Sequence, residues 1–457
     1  MFLVTCRGTD VADESTVERQ SFYSPGLPNF QLQVLPRSGI KSGVDLTISI
    51  PYSSVVFTRT PSGYSAALSI EVQMTDPVTR QLRSERVLAE TVDVVMYEQT
   101  QTLDRHHVEC YLDLSPGTYA AQVILRDINT DKQAVRRRRF VVHDTIIDEP
   151  TIGEMRILVR HPDGKENPFM GLHLPASDDS IVCSFRVYNL RSDDTLRSQL
   201  TVVRLESDSS LSSPPYAFAA LRGSLEYTGL SDVVKDTITV VERRLPGSPG
   251  GNDVDSHISL RGTGVYTIVA EAEVISAASG DIRALPAVHR SIVVMPPGFP
   301  RPSTLNDLVE AITYIGLESE MEKLRKSATP DERRRIFESF WLMLGGNEQA
   351  AANLIRQYYT RVEEANLYFS SVKEGWRTDR GMLYIVLGPP VSVYSGIEGE
   401  QWRYTTVEQD IVNTYSFRRV QLPDEYAVFE QYVLERQPYH DQPWIAAVGR
   451  WRRGAGF

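Results

Sequence analysis

The sequence predicts a multidomain, mainly β chain, with two tandem β-sandwiches followed by an α+β domain whose helices precede a small antiparallel sheet. Three observations predict it. Short period-two apolar runs recur between turn signals as far as residue 296. The period then changes to that of amphipathic helices, and a Pro-rich linker separates the two regimes. Length agrees: 457 residues exceed one ordinary core, and about 150 residues per domain suggests three. The expected divisions are a polar leader or tether at 1–24, sandwiches at 25–147 and 148–296, and the α+β domain at 297–457.

The leader carries Leu3-Val4-Thr5-Cys6, which resembles the end of a bacterial lipoprotein signal, truncated and with Thr5 where a smaller residue is usual. On that reading Cys6 is the acylated residue and residues 7–20 are a polar tether; the competing reading makes Cys6 an ordinary residue of a frayed leader. No apolar run approaches the roughly 20 residues that span a bilayer. Cys110 and Cys183 fall in β-like runs of different domains, so buried free thiols are expected rather than a disulfide.

In the first sandwich, Leu46–Ile50 and Leu68–Val72 alternate strictly and Ala121–Leu125 more loosely. Pro61-Ser62-Gly63, Asp76-Pro77 and Ser115-Pro116-Gly117 mark the turns. In the second, Arg156–Val159, Ile181–Val187 and Leu200–Val203 are strand-like, with loops at Ser212–Pro215 and Pro246–Gly251. A weak repeat relates the two halves. Leu114–Tyr119, Val123–Leu125 and Phe140–Val142 correspond to Leu260–Tyr266, Ile268–Ala270 and Ile292–Val294. Each copy sets a Gly before a Tyr at a strand start, which resembles the tyrosine corner of immunoglobulin-like sandwiches.

Met295–Pro302 is a stiff linker that can neither continue a ladder nor open a long helix. Beyond it, Ser303 or Thr304 caps a helix bearing Leu305, Leu308, Ile312 and Ile315 on one face. Thr329-Pro330-Asp331-Glu332 starts a second, with Thr at the cap, Pro in the first turn and Glu closing a capping box; Gly345-Gly346 ends it. Asn347 opens a third, whose Ala351, Ile355, Tyr358, Val362, Ala365 and Phe369 keep one face over about five turns. Met382–Leu387, Gln401–Tyr404 and Tyr415–Val420 read as strands.

The quintet Gly375-Trp376-Arg377-Thr378-Asp379, followed by Arg380, Gly381, Gly388-Pro389-Pro390 and the Trp402-x-Tyr404 strand, resembles the signature of the GWxTD-domain family. These are bacterial proteins whose domain has no established activity, so the resemblance, over residues 300–457, supplies no catalytic residues. Taken as a turn, the quintet allows Thr378 and Asp379 to bond N–H groups just beyond them. Gly375 and Gly381 can take positive φ, and Trp376 can cap the helix–sheet core. Taken as a site, Trp376, Asp379, Arg380 and Arg377 would surround a ligand. An Asp and an Arg in one turn more often pair with each other, which favours structure.

Other motifs have bland readings. His106 and Cys110 face opposite to His107 and Glu109 on a strand, and no second cluster at zinc spacing accompanies them, so no metal is expected. His440-Asp441 lies in a loop-like stretch without an identifiable nucleophile. Arg136–Arg139 suits an edge strand guarded against aggregation, or a contact with anionic lipid or an acidic partner; the terminal Trp451–Phe457 docks likewise or frays.

A net charge of −11 argues against nucleic acid as a partner, and no cofactor is expected. The function expected is a non-enzymatic cell-envelope binding or assembly protein, periplasmic or an outer-membrane lipoprotein, that contacts protein or glycan. Two alternatives stay open. One is an enzyme with its site at the signature turn, which requires polar groups converging in a concave pocket at Asp379. The other is a cytoplasmic scaffold.

Overall fold

A computed structural model describes residues 17–19, 28–37, 42–100, 105–142, 149–169, 171–177, 180–207, 209–217, 230–248, 251–395, 399–406, 411–420, 429 and 431–455. Cys6 and the last two residues lie outside them. The chain forms two compact units, neither contiguous in sequence. One comprises Ser24–Ser207 and Leu230–Pro297; the other comprises Met1–Tyr23, Asp208–Gly229 and Gly298–Phe457.

The first unit holds both sandwiches. In the first, a three-stranded sheet ordered Gln31–Arg37, Gly43–Pro51, Arg105–Asp113 faces a sheet ordered Thr58–Thr60, Gly63–Thr75, Gly117–Asp127, Lys132–Val142, in which Leu82–Val94 also pairs with Gly63–Thr75. The alternation read from sequence is the burial pattern. Leu46, Ile48, Ile50, Leu68, Ile70 and Val72 point inward and share one core with Val123 and Leu125. The strand carrying Arg136–Arg139 is an edge of its sheet, and Arg136 lies over the Phe30 ring at 5.3 Å. His106 and His107 sit on the strand Arg105–Asp113, whose Val108 and Cys110 are buried while His107 and Glu109 are exposed.

In the second sandwich, Ser180–Tyr188 is flanked by Arg156–Arg160 and Asn252–Ile258. The facing sheet is ordered His173–Pro175, Val288–Met295, Gly264–Ile275, Thr195–Ser207, Leu230–Pro246. Cys183 is fully buried there, which pushes its thiol pKa up to about 12; Cys110 is buried in the other core, and both are free.

The repeat extends to backbone geometry. Gly117 and Gly264 adopt φ of 155° and 148°, a region open cheaply only to Gly. The Tyr119 hydroxyl donates to the Ser115 carbonyl at 2.8 Å, and the Tyr266 hydroxyl to the Gly262 carbonyl at 3.0 Å. Both tyrosine corners are therefore formed. Tyr119→Phe and Tyr266→Phe should each cost about 1 kcal/mol, read as a lower urea midpoint at unchanged m-value. No change in either midpoint would mean that the corners add nothing to stability.

The second unit is α+β. Its helices are α1 (Leu305–Ala311), α2 (Glu318–Lys326), α3 (Pro330–Gly345), α4 (Glu348–Phe369), α5 (Asp379–Leu387) and α6 (Asp441–Arg452). Its antiparallel sheet is β1 (Val17–Arg19), β2 (Ser392–Ser395), β3 (Gly399–Thr406), β4 (Ile411–Val420) and β5 (Gln431–Leu434), in that spatial order. Thr304 caps α1 with a full capping box. Thr329 caps α3 by accepting from the Glu332 N–H at 3.2 Å, but the Glu332 carboxylate returns to the N–H of Ala328, one residue before the cap.

Two readings are corrected. Met382–Leu387 is not a strand; it is most of α5, capped by Thr378. All-round burial explains the error: Met382, Leu383, Tyr384, Ile385 and Val386 are all inaccessible, so no polar face reveals a helical period. His440-Asp441 is not a loop but the entry to α6, whose Trp444, Ala447 and Trp451 are buried in the common core. Within the leader, residues 17–19 form β1 against β2.

Candidate functional site

The signature forms a single-turn helix, Gly375–Arg377, wedged between α4 and α5. The Trp376 ring is 1% exposed and lies edge-on to Tyr314, as its expected capping role requires. The Trp376 backbone N–H donates to Asn366 Oδ1 at 3.1 Å, and the Trp376 backbone carbonyl accepts from the Tyr314 hydroxyl at 3.0 Å. Asn366, buried on α4, also donates to the Pro300 carbonyl at 2.7 Å, so one amide ties the turn to the linker. Thr378 closes the turn in both directions. Its hydroxyl donates to the Gly375 carbonyl at 2.6 Å and accepts from the Gly381 N–H at 3.1 Å.

Neither Gly375 nor Gly381 takes positive φ, contrary to expectation. Their role is close approach: a Cβ on Gly375 would stand 1.9 Å from the Ala365 carbonyl oxygen, and one on Gly381 1.9 Å from that of Gly375. Gly388 does have positive φ, at 88°, with the Arg361 guanidinium close behind it. Its carbonyl accepts from the Tyr404 hydroxyl at 3.0 Å. Pro389 and Pro390 follow where α5 gives way to β2.

Contrary to expectation, Asp379 pairs with neither Arg377 nor Arg380; each of the three finds its partners elsewhere. Asp379 Oδ2 accepts from the Leu434 N–H at 2.8 Å and from Arg436 Nη1 at 3.3 Å, and Oδ1 accepts from Arg436 Nη2. Both side chains are under 10% exposed. Asp379 thus joins α5 to the last strand instead of bonding N–H groups just beyond it. Arg380 pairs with Glu400 at 3.4 Å and lies over the Tyr432 ring at 4.0 Å; Glu400 also accepts from Trp402 Nε1 at 3.0 Å. Arg377 lies over the Trp376 ring at 4.2 Å between Glu310 at 2.6 Å and Glu374 at 2.7 Å. Burial opposes the Arg377 charge, but the two carboxylates outweigh it and hold its pKa above the ordinary value.

A segment remote in sequence completes the site. Residues 209–217 lie in the chain between the strands Thr195–Ser207 and Leu230–Pro246, yet belong to the α+β unit. The Ser209 carbonyl accepts from Arg377 Nη1 at 2.8 Å, that of Ser210 from Lys373 Nζ at 3.2 Å, and that of Ser213 from Arg436 Nη2 at 3.1 Å. The Pro215 carbonyl accepts from the Gln437 N–H at 3.1 Å, and the Ser212 hydroxyl donates to the Arg377 carbonyl at 2.9 Å. Leu211 packs against the domain core. Sequence reasoning marked Ser212–Pro215 only as a loop and missed Lys373 and Arg436. No local signal links positions 163 to 223 residues apart.

Among the described residues no group of three or more His, Cys, Asp or Glu could hold a metal ion. No helix among them is long and apolar enough to cross a membrane. Residues 283–453 match the GWxTD domain family model, beginning in the last strands of the second sandwich rather than after the linker. No curated protein matches the chain. Among solved structures it is similar to red sea bream transglutaminase at a TM-score of 0.18 and 10% identity, over 58% of this chain and 31% of that one. The chain thus spans under a third of that enzyme's length, and a score so low carries no argument about activity.

Proposed function

We propose, taking the GWxTD domain of residues 283–453 as the premise, that this chain is a non-enzymatic binding or assembly protein of the cell envelope. It presents sandwich and GWxTD surfaces to protein or glycan partners. The observation that carries the reading is the state of the signature turn. Asp379, Arg380 and Trp376 are buried, and both charges are engaged in ion pairs inside the domain. A catalytic acid or base must reach substrate, and buried carboxylates bound on both oxygens more often hold structure. Paired sandwiches offer sheet edges and broad faces suited to recognition. The test is recovery of tagged protein from its native cell after separation into membrane and soluble pools, with covalent cross-linking of neighbours. An envelope pool with a defined protein or glycan partner is expected. Recovery only from the cytosol, without a partner, would overturn the reading.

A further inference from the structure

We infer that the GWxTD turn builds a receptor for an extended peptide, and that Ser209–Pro215 is the ligand this chain supplies to it. The partner chemistry is a Ser- and Pro-rich segment outside any β ladder, with Leu211 and the buried Pro215 as apolar anchors, read mainly through its carbonyls. This rests on the binding-module reading and specifies its partner class.

Three features distinguish a seated ligand from an ordinary loop. The segment is held by side-chain cations and one free N–H, not by a β ladder: Arg377, Lys373, Arg436 and the Gln437 amide take four carbonyls across seven residues. Two of those cations are positioned without it, because Arg377 is gripped by Glu310 and Glu374, and Arg436 by Asp379. Donors fixed in advance lose little entropy on binding, which is how a receptor differs from a surface that forms with its ligand. Its contact with the fold is uneven: Ser209 and Ser210 are exposed, Leu211 is half-buried with its side chain against the core, and Pro215 is buried. Carbonyl recognition tolerates varied side chains, while Leu211 and the Ser212 hydroxyl would set register and selectivity.

The test uses the full chain lacking residues 209–215 and a fluorescent synthetic peptide spanning 207–217. The expected result is a folded deletion variant, saturable micromolar binding, and a rise in its melting temperature as the peptide is added. Lys373→Ala in the receptor, or Leu211→Asp in the peptide, should weaken binding about tenfold or more. A folded variant that ignores the peptide at millimolar concentration would overturn the inference. So would a variant that fails to fold, since the segment would then be part of the core. Neither failure bears on envelope recovery, which tests the broader reading separately.

Discussion

Replacing Asp379 with Ala lowers the melting temperature of the α+β unit in the full-length chain by about 6–20 °C. Removing one partner of a buried ion pair costs about 3–5 kcal/mol, because the other charge remains desolvated. Each kcal/mol shifts the midpoint by about 2–4 °C for 150–250 residues. The stranded group is Arg436, 5% exposed, and the Leu434 N–H loses its acceptor as well. Asp379→Asn keeps shape and an acceptor but not charge, so it falls between wild type and Ala. Calorimetry of the three proteins checks the order. A shift below about 2 °C for the Ala variant would end the structural account of the signature carboxylate and reopen a catalytic one.

Gly381→Ala, in contrast to the usual effect of that change in a helix, is expected to destabilise strongly. Within a helix Ala normally gains about 1 kcal/mol over Gly. Here the added methyl would lie 1.9 Å from the Gly375 carbonyl oxygen and 3.0 Å from the Trp376 Cα, both backbone atoms that cannot swing aside. Overpacking of this kind costs about 1–3 kcal/mol, and the upper end applies because the whole turn must shift. Gly375→Ala meets the Ala365 carbonyl at the same distance and should behave alike. Gly449→Ala in α6 supplies the contrast. Its nearest neighbour is the end of the Arg453 side chain at 3.1 Å, which can move, so the ordinary gain of about 1 kcal/mol is expected. Equal shifts for Gly381 and Gly449 would refute the close-approach argument.

What was legible in the sequence follows the range of the forces involved. Period-two runs, the Gly-Tyr corners, the Thr304 and Thr329 caps and the long face of α4 are set by neighbours within a few positions, and all were readable. α5 was not, because its apolar run lacks the polar face that separates a buried helix from a buried strand. α6 hid behind His440-Asp441, although Trp444 and Trp451 gave a cue: all five tryptophans lie between 341 and 451, where one large core is built. The signature residues were found from their resemblance to a family, but their partners were not. Glu400, Arg436 and Lys373 are ordinary charged residues until the chain brings them to the turn.

The discontinuous α+β unit imposes a schedule on the ribosome. Ser213 leaves the exit tunnel 223 residues ahead of Arg436, to which its carbonyl will bond. At roughly 5–20 residues per second, that interval is about 10–45 s. Val17–Arg19 waits longer still, since its partner strand Ser392–Ser395 lies farther along the chain from it than Arg436 does from Ser213. Both sandwiches can be complete while the strand and the peptide remain unclaimed. A nascent chain stalled before Leu434 would carry Asp379 with neither of its partners made.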